Sequence, residues 1–390
     1  MTPDSWLSHE FGDEYFSGKF EHLKQTIIDL DLAPKNSKIV TIGGTNGKGQ
    51  TARLLASMFS HKGVSFGLWT SPHLETVCER FVYNGNNISS DDLLISLEET
   101  KKLLKNNLKS YSYFEFIFLT FLVYLKNNPV DIVILEVGLG GRLDACNAIR
   151  NDIAAVVSIS REHQRLLGST YQKILYEKLG IINVGKMLIT CFELDYLKLK
   201  TKEYCRSHRC DWIDLFQAEQ VVKSDNFSRR NYLMAVEIFR SLFNELPSAK
   251  IQIEDFAMRR AITFNNRVYD FYPTHNLDGF RKLFQFLNQQ QYNNYDYLLI
   301  SFSRREWKDL LDICRLIQDH FLSDKIKLVH FSHFKSIDEG QLLKLKSEFE
   351  FDIIQLDDIT KDSNYQASKV LVTGSNYFLG HTLQYFSRQK

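Results

Sequence analysis

The sequence predicts an α/β protein of two domains, each a mostly parallel sheet covered by helices. Three observations carry this. Short apolar runs alternate with longer stretches of helical periodicity. The alternation occurs twice along the chain. The first apolar run ends in a glycine-rich turn that leads directly into a helix. At 390 residues the chain also exceeds one ordinary core, so two domains are natural.

Residues 1–36 read as a polar, helical lead-in. Lys38 to Ile42 is the first strand, and Ala52 to Lys62 is a helix with Leu54, Leu55, Met58 and Phe59 at helical spacing. Val64 to Trp69, Asp131 to Val137, Ile153 to Ile159 and Met187 to Phe192 read as buried strands. Asp91 to Asn107 and Tyr113 to Asn127 read as helices between them. Such sheets bind ligands at the carboxyl ends of their strands. The second alternation starts near Val268. Its strands are Val268 to Phe271, Tyr297 to Phe302, Ile326 to Phe331, Phe351 to Leu356 and Val370 to Thr373. Its helices are Gly279 to Asn288, Arg305 to Leu322, Glu339 to Phe349 and Asn376 to Arg388. The expected domains are 1–266 and 267–390, with a hinge near Arg267.

Gly43-Gly44-Thr45-Asn46-Gly47-Lys48-Gly49-Gln50-Thr51 has the layout of a phosphate-binding loop. Glycines let backbone N–H groups converge on phosphate oxygens, and the helix N-terminus adds a positive dipole end. Lys48 would reach the β- and γ-phosphates. Counted from Gly43, the spacing is one residue shorter than GxxxxGK[ST], and Gly follows the lysine. A glycine-rich turn with a solvated lysine is the alternative reading.

Composition excludes several classes. The formal charge is +1 and hydrophobic residues make up 44%, which argues against nucleic-acid and membrane partners. No apolar run approaches the roughly 20 residues of a spanning helix. No signal peptide is visible, and the six scattered cysteines suit free thiols in a reducing cytoplasm.

GGTNGKGQT resembles the nucleotide loop of the folylpolyglutamate synthase and dihydrofolate synthase family, a branch of the Mur ligases. Other stretches match in the family's order. Thr70-Ser71-Pro72-His73-Leu74, Glu79-Arg80-Phe81 and Asn84-Gly85 are similar to its TSPHL…ER…NG segment. Phe114-Glu115-Phe116 with Thr120 resembles its FE…T helix. Leu135 to Ala145 with Asn147 resembles its LEVGLGGRLDA…N signature. His163, Leu166-Leu167-Gly168 and Glu177-Lys178 with Gly180-Ile181 resemble its DH…LLG…EKAGI run, and Val370 to Ser375 its VTGS strand.

The resemblance implies a Mur-ligase-type P-loop ATPase domain followed by a Rossmann-like domain. The implied enzyme is an ATP- and Mg²⁺-dependent ligase forming an amide between a folate or pteroate carboxylate and L-glutamate. The implied nucleotide contacts are Gly44, Thr45, Asn46, Gly47, Lys48, Gly49, Gln50, Thr51, Asn231 and Arg267. Ser71, Glu136 and His163 are the implied ligands of two Mg²⁺ ions, supported by a carbamylated Lys178. Ser71, Pro72, His73, Arg80, Phe114, Glu115 and Ser375 are the implied substrate contacts. Ser71 to Asn84 is expected as a mobile loop. Lys48, Lys178, His163 and His275 are the implied catalytic groups. Small-molecule substrates and a cytoplasmic monomer complete the expectation. Read without the resemblance, His163 is a structural histidine, Lys178 a solvated helix lysine, and Phe114 to Phe116 an aromatic helix face.

Four departures from the family pattern stand out. Gln50 replaces Ser or Thr. Tyr272-Pro273-Thr274-His275-Asn276-Leu277 stands for DGAHNP, with Asp270 two residues early. The run from Arg267 to His275 is shorter than expected. Phe227-Ser228 replaces HQ, and Glu162-His163 replaces DH. A different amino acid or acceptor, or a non-catalytic binding role, therefore stays open.

Overall fold

The computed structural model describes residues 1–12, 20–105, 107–161, 163–217, 227–248, 251, 260–289, 295–331, 333, 335–361 and 369–389. Glu162 lies outside them. The chain divides into two compact units, Met1–Ile253 and Glu254–Lys390.

The first unit runs α1 (Pro3–Phe11), α2 (Phe20–Asp29), β1 (Lys38–Gly43), α3 (Lys48–Lys62), β2 (Phe66–Trp69), β3 (Phe81–Tyr83), β4 (Asn86–Asn87), α4 (Ser90–Leu103) and α5 (Tyr113–Asn127). It continues β5 (Ile132–Glu136), β6 (Ile153–Val156), α6 (Gln164–Leu167), α7 (Tyr171–Leu179), β7 (Met187–Thr190), α8 (Asp195–His208), β8 (Asp211–Asp214) and α9 (Phe227–Phe243). The sheet order is β4-β3-β2-β5-β1-β6-β7-β8. Every pairing from β2 to β8 is parallel; β3 and β4 add on antiparallel.

The central strands are buried on both faces, which is why they read as unbroken apolar runs. On β5, Val133 and Leu135 enter one core and Ile132 and Ile134 the other. The first core lies against aromatic α5, where Trp69 meets the rings of Phe81, Phe114 and Phe118. In the second core Phe59 of α3 packs on Phe239 and Phe243 of α9. Truncating such a buried ring costs about 3–5 kcal/mol.

The second unit runs β9 (Arg260–Phe264), β10 (Arg267–Tyr272), α10 (Leu277–Gln289), β11 (Tyr297–Ser301), α11 (Trp307–Gln318), β12 (Ile326–Val329), α12 (Glu339–Phe349), β13 (Asp352–Ile354), α13 (Leu356–Lys361), β14 (Lys369–Gly374) and α14 (Asn376–Arg388). Its sheet order is β13-β12-β11-β14-β10-β9, parallel except for β9.

Three expectations change. The units part at 253/254, not 266/267. β9 precedes Arg267 yet pairs antiparallel with β10, through Phe264 opposite Arg267, so the hairpin belongs to the second sheet. The stretch after Ser71, expected as a mobile loop, contains β3, which pairs with β2. β8 was not anticipated; its four residues, Asp-Trp-Ile-Asp, lie at a sheet edge.

Candidate active site

The phosphate-type loop leaves the end of β1 and is fastened to the end of β6. Thr45 Oγ1 donates to the Ser160 carbonyl at 3.2 Å and accepts from Ser160 N at 3.0 Å. Asn46 N donates to Ser158 Oγ, which donates back to the Asn46 carbonyl, at 2.9 and 2.8 Å. Gly44 has φ 142°, and a Cβ there would come within 3.1 Å of Ser158 N. A side chain is excluded by both the backbone angle and the close crossing. Gly47, at φ 91°, precedes the first turn of α3. Lys48 Nζ folds back onto the Gly44 and Thr45 carbonyls at 3.1 and 3.0 Å. Lys178, buried on α7, donates to the Gly44 carbonyl at 2.7 Å. Two ammonium groups thus converge on one loop carbonyl.

Glu136 ends β5 beside this loop and is 4% exposed. Its carboxylate accepts from the Thr70 hydroxyl and from Ser71 N. A Cβ on Gly49 would stand 3.1 Å from Glu136 Oε1. The glycine after the lysine therefore makes room for a carboxylate under the first turn of α3, which accounts for a glycine at that position. Burial pushes the Glu136 carboxyl above its ordinary range, opposed by Lys48 and the Thr70 hydrogen bond. A buried carboxylate of this kind favours a nearby cation. With hydroxyls of Thr70 and Ser71 adjacent in sequence, the donors are hard oxygens of the type Mg²⁺ prefers, so the residues fit that ion.

His163 stands past β6, at φ 49°, where its carbonyl accepts from Leu166 and Leu167. Ser71 and Glu136 are brought together; His163 sits on a different loop, two strands along the sheet from β5. Among the described residues no three His, Cys, Asp or Glu side chains form a metal cluster. The glycine-rich segment after β5 is organised by buried Asp144. Its carboxylate accepts from the N–H groups of Gly138, Leu139 and Cys146.

The segment after Ser71 is tied down by several groups. Glu79 accepts from the N–H groups of Leu74, Glu75 and Thr76. Asp4 of α1 accepts from Thr76 Oγ1 and Val77 N. The Ser71–Pro72 bond is cis. Arg80 is buried, donates to His73 Nδ1 at 2.9 Å and lies over the Tyr113 ring. Phe114 is half-buried against Trp69. Glu115, expected at the substrate, closes a capping box at the start of α5. Its Oε2 accepts from both Ser112 N and Ser112 Oγ at 2.8 Å.

Asn231, on the first turns of α9, donates to Gln50 Oε1 at 2.5 Å, and Gln50 Nε2 donates to Ser228 Oγ at 2.9 Å. These bonds join α3 to α9. Thr51 Oγ1 turns back to the Gly47 carbonyl.

In the second unit two groups of residues stand out, one within the sheet and one past its strand ends. Arg267 is buried at the start of β10. Asp270 is fully buried within β10, accepts from the Tyr295 hydroxyl at 2.8 Å and pairs with Lys369 at 3.4 Å. Tyr272, standing for the family's aspartate, is turned into the core against Phe286. The His275 carbonyl accepts from Arg305 Nη1 at 2.5 Å, and Arg305 Nε donates to the Ser303 carbonyl. Ser303 Oγ meets Ser375 Oγ at 2.6 Å. Three strand-end loops are thereby linked.

This arrangement can be set beside known proteins. No family model matches the chain. A curated dihydrofolate synthase/folylpolyglutamate synthase of Buchnera aphidicola (subspecies Schizaphis graminum) is 34% identical over 275 residues, 67% of this chain and 61% of that protein. The Escherichia coli K12 protein of the same name is 39% identical over 187 residues, 47% of this chain and 44% of that one. The chain belongs to the folylpolyglutamate synthase/dihydrofolate synthase family. The matched stretches span less than two thirds of these relatives' own lengths. A Yersinia pestis folylpolyglutamate synthase/dihydrofolate synthase, solved with AMPPNP and Mn, superposes with a TM-score of 0.80 at 22% identity, covering 99% of this chain and 98% of that one. Escherichia coli FolC with ADP gives 0.79 at 21% identity, covering 100% and 98%. These likenesses carry the two-unit α/β fold.

Within the folylpolyglutamate synthase/dihydrofolate synthase framework, sequence reasoning passed over four contributors. Thr70 supplies a hydroxyl to Glu136, and it lies inside the TSPHL match. Ser158 and Ser160 fasten the loop; two serines ending an apolar run were the available signal. Arg305 had none, because its partners come from distant loops.

Proposed function

We propose that this protein is an ATP- and Mg²⁺-dependent ligase that joins L-glutamate to the carboxylate of a pteridine substrate, dihydropteroate or a reduced folate. The observation that carries the reading is Glu136. A carboxylate buried beneath the first turn of the helix that follows a phosphate-type loop is costly unless a cation reaches it.

Glu136, Thr70 and Ser71 would hold one Mg²⁺ beside the phosphates, and His163 a second; the ions would neutralise phosphate charge. Lys48 exchanges its loop carbonyls for the γ-phosphate. The acceptor carboxylate oxygen attacks Pγ and ADP leaves, forming an acyl phosphate. The glutamate amine then attacks the acyl carbon, phosphate leaves, and the nitrogen loses a proton. Arg80 and His73 would face the acceptor, with Phe114 beside them. His275 and Ser375, in loops linked through Arg305 and Ser303, would receive glutamate, and Arg267 would contact phosphate. Carbamylation of Lys178 converts its ammonium to an anion able to support the second ion. On this reading the protein works as a cytoplasmic monomer.

A second reading keeps the mechanism and changes the amino acid. Tyr272 is packed inward and Asp270 is consumed by Tyr295 and Lys369, so the usual aspartate is absent from that strand end.

The test is phosphate release from ATP with Mg²⁺ and glutamate, using dihydropteroate and tetrahydrofolate in turn. Release should require both pteridine and glutamate and fall about a hundredfold or more in Lys48→Ala. Release with another amino acid but not glutamate selects the second reading. No release with any acceptor sinks both.

A further inference from the structure

Gln50 stands on the first turn of α3, and its side chain spans to α9. Its amide accepts from Asn231 Nδ2 at one end and donates to Ser228 Oγ at the other. Asn231 is fully buried, and its Oδ1 has no hydrogen-bond partner among the described residues. The Asn231 amide lies against the phosphate-type loop: a Cβ built on Gly47 would be 2.6 Å from its oxygen and 2.8 Å from its nitrogen.

A buried acceptor left without a donor is costly, so its placement beside a ligand loop calls for a donor from the ligand. Phosphate oxygens are acceptors and would oppose Asn231 Oδ1. The donor must come from the nucleoside. An adenine 6-amino group supplies one; guanine presents a carbonyl oxygen at the same position and would leave two acceptors face to face.

We infer that Gln50 is a positioning residue for nucleotide selectivity: it engages the Asn231 amide nitrogen and so leaves the amide oxygen for a donor on the base. This deepens the nucleotide-binding part of the proposed function and rests on it. Ser228 completes the device by holding the Gln50 amide in one sense. Without Gln50 the Asn231 amide can turn over and present either end.

The experiment is direct binding of ATP, GTP and 2′-deoxyATP to the full chain with Mg²⁺, by calorimetry, for wild type, Gln50→Met and Ser228→Ala. Wild type should prefer ATP to GTP, with 2′-deoxyATP close to ATP. Gln50→Met should lower the ATP-to-GTP preference roughly tenfold, and Ser228→Ala should lower it less. A general packing defect would weaken all three nucleotides alike and leave the ratio in place; that result overturns the inference. So does a wild-type loss confined to 2′-deoxyATP, which would assign the donor to the ribose. If Gln50→Met fails to fold, the ratio in Ser228→Ala decides. ATP preference without amide formation keeps this inference while the ligase reading fails; a wild type that binds no nucleotide overturns both.

Discussion

Lys178 donates its ammonium to the carbonyl of Gly44 at 2.7 Å, across 134 positions of sequence. The bond brings α7 to the phosphate-type loop, and the lysine is 2% exposed. A buried ammonium held by a loop carbonyl is a group whose charge matters to everything beside it.

Carbamylation of that amine is therefore testable on its own. In bicarbonate labelled with carbon-13, wild-type protein should show a carbamate resonance that Lys178→Ala lacks. Lys178→Ala should lose at least about a hundredfold in turnover, with partial recovery on adding a short carboxylic acid. An unlabelled wild type of full activity would rule carbamylation out.

Glu136 has a pH signature. Burial raises its carboxyl above the ordinary 4.5. The ionised form is thus disfavoured in the fold, and this cost is present above the raised value and disappears as pH falls through it. Without Mg²⁺ and nucleotide, Glu136→Gln should melt above wild type near about pH 8, and the gap should close toward the ordinary carboxylate range. Its Mg²⁺-dependent turnover should be lost. A variant less stable than wild type at every pH would contradict the burial argument.

Asp144 serves the segment after β5. Its carboxylate satisfies three backbone N–H groups, at 3.1, 2.9 and 3.0 Å. Asp144→Ala strands all three and should cost about 3 kcal/mol in denaturant unfolding. Asp144→Asn, which keeps an acceptor, should recover part of that. Equal midpoints for wild type and Asp144→Ala would refute the role.

Arg305 links the loops that carry His275 and Ser303, and Ser303 reaches Ser375. Arg305→Ala should raise KM for the amino acid about tenfold, with KM for ATP unchanged, and Arg305→Lys should lie between. A drop in kcat alone, with both KM values constant, would place its effect elsewhere.

Much of this was legible in the chain. The apolar runs from Lys38, Asp131 and Ile153 read as strands because helices cover both faces, and the loop after Ile42 read as a ligand loop because glycines precede a helix. Other features were hidden. β8 is too short to show alternation. β9 joined the second sheet by hairpin pairing, which no periodicity reports. Glu115 closes the capping box of α5 with Ser112, a role that the FE…T resemblance does not signal. Asp270 looked misplaced; its partners, Tyr295 and Lys369, are distant in sequence.

By itself the sequence determined which segments become strands and helices, where the glycine-rich turn sits, and which family's motifs recur in order. Those are local properties, set by side-chain period, backbone freedom and neighbouring residue types. The tertiary structure alone decided that Gly49 yields space to Glu136, that Lys178 meets Gly44, and that Gln50 engages Asn231. Each of these depends on strand order and helix packing, which bring together groups that no spacing in the chain relates.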